Sequence, residues 1–146
     1  MTATIWESNA NSDLYLCVLG KLNAITNPNG SGRWIYSEFP EKKIDKETSY
    51  PLVVLDSPEF SYAPLTFTSL KRGPTRVTVD IYSTTGQQLD SISDSIIDKF
   101  ESEETNFALS GISVMRLVAS SNSYFTRNDF RVHNKTLIYE FQFGWT

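Results

Sequence analysis

Apolar positions recur with helical period at Leu14, Val18, Leu22 and Ile25, with Tyr15 and Leu19 beside them, and predict a first helix. Ser12 beside Asp13 offers a simple N-cap, Thr4 and Glu7 have capping-box spacing, and Pro28 and Gly30 end the helix. Asn27 to Arg33 reads as a turn-rich, flexible loop, Trp34 to Tyr36 as a short strand, and the charged stretch Glu41 to Ser49 as a surface loop. Tyr50 to Asp56 is a β-branched run and so a strand, with Pro51 near its start or on an edge. Pro58 to Pro64 breaks the pattern. Leu65 to Leu70 alternates, Lys71-Arg-Gly-Pro74 reads as a turn, and Arg76 to Tyr82 alternates again with Val77, Val79 and Ile81 on one face. These last two strands are expected to form a hairpin.

The strongest helical pattern follows. Thr84 or Thr85 is the expected N-cap, and apolar residues recur at Leu89, Ile92, Ile96 and Phe100, with Ile97 alongside. The opposite face carries Asp90, Asp94, Asp98 and Glu101. Ile112 to Val118 reads as a strand, Ser120 to Asn128 as a polar loop, and Phe130 to Phe143 as a closing strand with Leu137, Tyr139, Phe141 and Phe143 on one face. Strands come in consecutive pairs and outnumber helices, which argues for an α+β fold rather than a doubly wound parallel sheet. The expectation is a single mostly antiparallel β-sheet with two α-helices packed on one face, in one domain over residues 1–146.

Composition changes this picture little. An aromatic content of 13% supplies large rings that offset the entropy of ordering the chain, which argues against disorder. The net charge of −4 disfavours non-specific binding to nucleic acid. No stretch approaches the roughly 20 apolar residues of a membrane span, and the N-terminus lacks the basic-then-apolar order of a signal peptide, so a cytoplasmic site of synthesis and no membrane are expected. The single cysteine excludes an internal disulfide.

A search for chemistry finds little. One histidine and one cysteine rule out the usual zinc spacings. Cys17 lies in an apolar helix, where a thiol is kept neutral and inert, and His133 lies on an alternating strand, where a lone histidine is most often a surface or pairing residue. Asn29-Gly-Ser-Gly32 lacks the Lys-Ser/Thr of a phosphate cradle and follows a helix rather than a strand. Asp90, Asp94 and Asp98 align on one helix face, where a solvated surface is a commoner outcome than a cation site. Lys71, Arg72 and Arg76 form the one tight basic cluster, placed by the expected turn at a hairpin tip, and aromatic interleaving for a nucleic-acid platform is lacking there. Neither a catalytic residue nor a metal or cofactor is expected.

The series Phe39-Pro-Glu-Lys-Lys, Tyr50-Pro-Leu-Val-Val-Leu, Val77-Thr-Val-Asp-Ile-Tyr-Ser83, the amphipathic segment Gln87 to Phe100, Gly111-Ile-Ser-Val and Leu137-Ile-Tyr-Glu-Phe-Gln-Phe143 resembles the tail terminator (tail completion, minor tail) proteins of long-tailed bacteriophages. The resemblance covers roughly residues 10 to 143 and rests on element order. It implies a structural virion protein, not an enzyme, assembled in the host cytoplasm. Such a protein forms a homohexameric ring on the head-proximal end of the tail, terminates the tail tube protein's polymerisation and docks the head–tail connector protein, with DNA passing through the ring without specific binding. A ring needs a heterologous interface, for which the Lys71, Arg72 and Arg76 cluster and the acidic face Asp90, Asp94, Asp98 and Glu101 are complementary candidates. Asn27, Asn29, Gly30 and Arg33 form a candidate loop for docking a partner. A head–tail connector or neck protein of the same virion, a non-catalytic protein-binding module, and a small enzyme using Asp94 or Glu101 are the alternatives.

Overall fold

The computed structural model describes residues 10–30, 32–42, 44–66 and 69–143. The capping pair Thr4 and Glu7 lies outside the described residues. The fold is α+β: one mixed sheet with three helices, α1 (Ala10–Asn23), α2 (Gly86–Ser102) and the short α3 (Glu104–Leu109). The strands are β1 (Ile35–Tyr36), β2 (Leu52–Leu55), β3 (Glu59–Thr66), β4 (Ser69–Ser83), β5 (Ile112–Arg127) and β6 (Phe130–Phe143). Their order is β1-β2-β4-β6-β5, and β3 pairs with β4 as well. Only β1 and β2 run parallel.

Strand alternation sorts the sheet into two faces. Val53, Leu55, Val77, Val79, Ile81, Leu137, Tyr139 and Phe141 join one core with Leu14, Val18 and Leu22 of α1, four apolar residues of α2 and Phe107 of α3. α2 lies against β4 and β6, and α1 against α2. Rings knit this core together: Phe100 approaches Tyr139 at 4.7 Å and Phe107 at 5.9 Å, and Phe107 approaches Phe141 at 5.6 Å. On the far face, Leu52, Val54 and Val132 form a second core with Ile44 and Tyr50, packed by Phe39, Tyr82, Phe125 and Phe130.

Three expectations are corrected and a fourth is refined. Glu59–Thr66 is a strand despite Pro64, because β3 can place a residue without an N–H where the ladder is irregular, the pairing shifting between Pro64 and Thr66. Lys71-Arg-Gly-Pro74 is not a turn. Lys71 pairs with Ala63 and Arg72 with Tyr62 inside the β3–β4 ladder, and Gly73-Pro74 sits at a bulge between the Arg72↔Tyr62 and Thr75↔Phe60 pairs. Ser120 to Arg127 is not a loop but the second half of β5, which pairs with β6 down to Arg127↔Phe130. The charged stretch Glu41 to Ser49 is a surface loop as expected, but an anchored one: Ile44 is fully buried, and Arg127 binds Asp45 at 2.9 Å and Glu41 at 3.3 Å. Charge patterning concealed the one apolar side chain that anchors this segment.

Thr85 caps α2 by accepting the Gln88 N–H at 3.2 Å. Thr85→Ala is expected to cost about 1 kcal/mol in a denaturant titration. Glu103 ties the three helices together. It accepts the Asn106 amide and pairs with Lys99 at 2.9 Å and Lys21 at 3.2 Å. The Asn106 hydrogen bond first, then those from the two lysines, pull its carboxyl down to about 2. A depressed acid stabilises the fold fully above its ordinary value and loses that contribution as pH falls toward the folded value. Thermal melts of Glu103→Gln should therefore fall below the parent at pH 7 and converge with it between pH 4.5 and about 2.

Candidate assembly surface

The structure separates the charged groups that the sequence grouped. Lys71 and Arg72 belong to β4, opposite Ala63 and Tyr62, and not to a hairpin tip; their side chains lie outside the described residues. Arg76 is on the sheet face away from α2. There β4, β6 and β5 set Arg76, Glu140 and Arg116 side by side in one row. Arg116 donates from Nε (3.2 Å) and Nη2 (2.8 Å) to Glu140 Oε1, while Arg76 Nε stands 3.6 Å from Oε2. The Glu140 side chain is only 6% exposed, whereas those of Arg76 and Arg116 are 61% and 63% exposed. A shielded carboxylate thus fixes two guanidiniums that keep unspent N–H donors toward solvent.

The acids of α2 are on the other side. Leu89, Ile92, Ser93, Ile96 and Phe100 are its buried face. A turn of 100° per residue places Asp98 directly opposite and Asp94 and Glu101 beside it on the outer face, and all three are exposed. None has an ion pair among the described residues, whereas Asp90 is already committed to Lys135 at 3.2 Å. Within one chain, therefore, Arg76 and the acids of α2 do not meet.

Hydrogen bonds of Asn27 and Asn29 span the candidate docking loop. Asn27 Oδ1 accepts the Asn29 N–H at 2.8 Å, Asn27 Nδ2 donates to the Gly32 carbonyl at 2.8 Å, and Asn29 Nδ2 reaches the Pro51 carbonyl at 3.3 Å. Gly30 and Gly32 take φ of 82° and 88°, which L side chains rarely adopt. Arg33 lies over the Tyr36 ring at 4.8 Å. Between this loop and the end of α1 is an open groove of about 580 Å³ that includes Tyr15, Leu19, Trp34 and Arg33.

Cys17 is half-buried, burial pushes its thiol up, and its hydrogen-bonding neighbour is the Ser110 hydroxyl rather than His133. Thiolate formation is thereby disfavoured. One electrostatic feature had no sequence signal: Asp56 hydrogen-bonds Asp80, which also accepts from Thr136. Burial first, then the Asp80 charge, holds the Asp56 carboxyl above its usual range. Among the described residues no three His, Cys, Asp or Glu side chains gather as a metal site needs.

β5 carries the longest free edge. It pairs only with β6 over 16 residues and contains no Pro, Lys, Asp or Glu. Its two arginines are drawn into ion pairs, with Glu140 for Arg116 and with Asp45 and Glu41 for Arg127. Val114, Leu117 and Tyr124 are exposed along it. Two bulges interrupt the β5 ladder, between Ile112 and Val114 and between Leu117 and Ala119, and are the edge-blunting device that β5 retains. At the Ile112 end of β5, Ser69–Pro74 of β4 run on past the Thr75↔Phe141 pair, so that β3 and β4 form an arm beyond the β6 ladder.

No protein-family model matches the sequence, and no curated protein matches it.

Proposed function

We propose that the protein is a structural virion component that caps the head-proximal end of a phage tail tube as a ring, stops tube polymerisation and presents the surface on which the head connector docks. One observation carries the reading: a 16-residue edge strand, β5, without Pro, Lys, Asp or Glu, on a sheet whose opposite margin extends an arm. An edge and an arm are different patches of one molecule, and pairing unlike patches gives the heterologous contact from which cyclic rings are built. The resemblance in element order to tail terminators supplies the setting for such a ring. DNA would pass through its opening, and the net charge of −4 disfavours adhesion of the duplex.

The test is native mass spectrometry with negative-stain imaging, followed by addition of purified tail-tube protein. Closed rings, sixfold in the expected case, and tubes of arrested length support the reading. A chain that stays monomeric with tube protein and leaves tube length unchanged removes it.

A further inference from the structure

We propose that successive copies associate face to back, with the acidic stripe of α2 on one copy seated on the Arg76–Glu140–Arg116 row of the next. This rests on the ring reading and assigns its neighbour contact to the two sheet faces, as an alternative to edge-to-arm pairing. The occupant is a second copy of this chain, and three observations select it. The two surfaces are opposite in sign: exposed Asp94, Asp98 and Glu101 have no ion pair among the described residues, and Arg76 and Arg116 keep most of their surface in solvent. They lie on opposite sides of the same molecule, so one chain cannot pair them internally and a neighbour can.

The spacings also agree. Arg76 and Arg116 are separated by two strand spacings, about 10 Å. Asp94 and Glu101 are two helical turns apart, also about 10 Å. Glu140 holds both guanidiniums in place beforehand, so less side-chain entropy is lost on docking than for free arginines. The row also offers exposed Val114 beside Arg116 as apolar contact. Because a donor face and an acceptor face differ, each copy accepts one neighbour and offers itself to another, a heterologous contact that gives a ring where the rotation between copies closes and an open stack where it does not.

The experiment uses the full chain and two variants. Asp94→Lys with Glu101→Lys changes exposed helix positions only. Arg76→Glu, Glu140→Gln and Arg116→Glu together invert the row without leaving Glu140 charged beneath two new acids. Each variant alone is expected to self-associate at least about tenfold more weakly than the parent in sedimentation at low salt. An equimolar mixture of the two should recover assembly as alternating copies, since each supplies the sign that the other lacks. Parent assembly should weaken with added salt.

Rings that form with parental affinity in both variants, or in the parent regardless of salt, overturn the face-to-back contact and leave the ring reading standing. A parent that never self-associates, with or without tube protein, removes both. Parent protein that retains duplex DNA, loses it in the row variant and assembles normally would assign the arginines to phosphate and overturn the proposal.

Discussion

Phe100→Ala is expected to cost about 3–5 kcal/mol, the largest loss from any single truncation in the helical core. Phe100 is fully buried and is the point at which α2, α3 and β6 meet, through Phe107 and Tyr139. Removing the ring deletes its own transfer free energy and leaves a void that neither neighbour can fill without leaving its rotamer. Urea unfolding followed by far-UV circular dichroism would measure it. A loss below about 1 kcal/mol would mean that the site collapses freely and that the three-ring packing is not the support described here.

The second large effect is on the opposite face. Ile44→Ala is expected to cost about 2–5 kcal/mol although Ile44 sits in the most charged stretch of the chain. Its side chain is the plug between Tyr50, Leu52, Val54 and Val132, and the segment around it is otherwise held by polar contacts to Arg127 and Asn128. Those contacts are exposed, so each contributes little by itself. Truncation should therefore free this segment before the rest unfolds, with limited proteolysis cutting between Phe39 and Tyr50 faster than in the parent. Equal cutting rates together with a small stability change would show that the polar clamp suffices.

The legible parts of the fold are those where one physical signal acts alone. α2 combines a clean period, a threonine cap and a polar outer face, and the strand from Arg76 to Tyr82 alternates because one side faces the helices and the other does not. β3 was hidden because Pro58 and Pro64 are local breakers, while its place is set by pairing with β4, a contact between segments that the pattern does not encode. Ser120 to Arg127 read as a loop because, apart from Phe125, which packs on the second core, this edge strand buries little and its pattern is polar on both faces. The candidate surface divides the same way. The exposure of Asp94, Asp98 and Glu101 follows from helical period, and Arg76 alternates with buried neighbours. Arg116 and Glu140 gain meaning only from strand register, which no local pattern specifies.

The position of β6 in the sheet has a consequence for synthesis. β6 is the last strand in chain order, yet it lies between β4 and β5 and completes both ladders. Until it has left the ribosome, β4 lacks its partner from Thr75 to Ser83 and β5 has no partner at all. The nascent chain must carry Val77, Val79 and Ile81 with nothing paired along that side of β4, at elongation rates of roughly 5–20 residues per second. The sheet is therefore expected to close cooperatively, in one late step once β6 has emerged. Nascent chains arrested before Phe130 should be protease-sensitive along their whole length, and those that expose Phe143 should become resistant together.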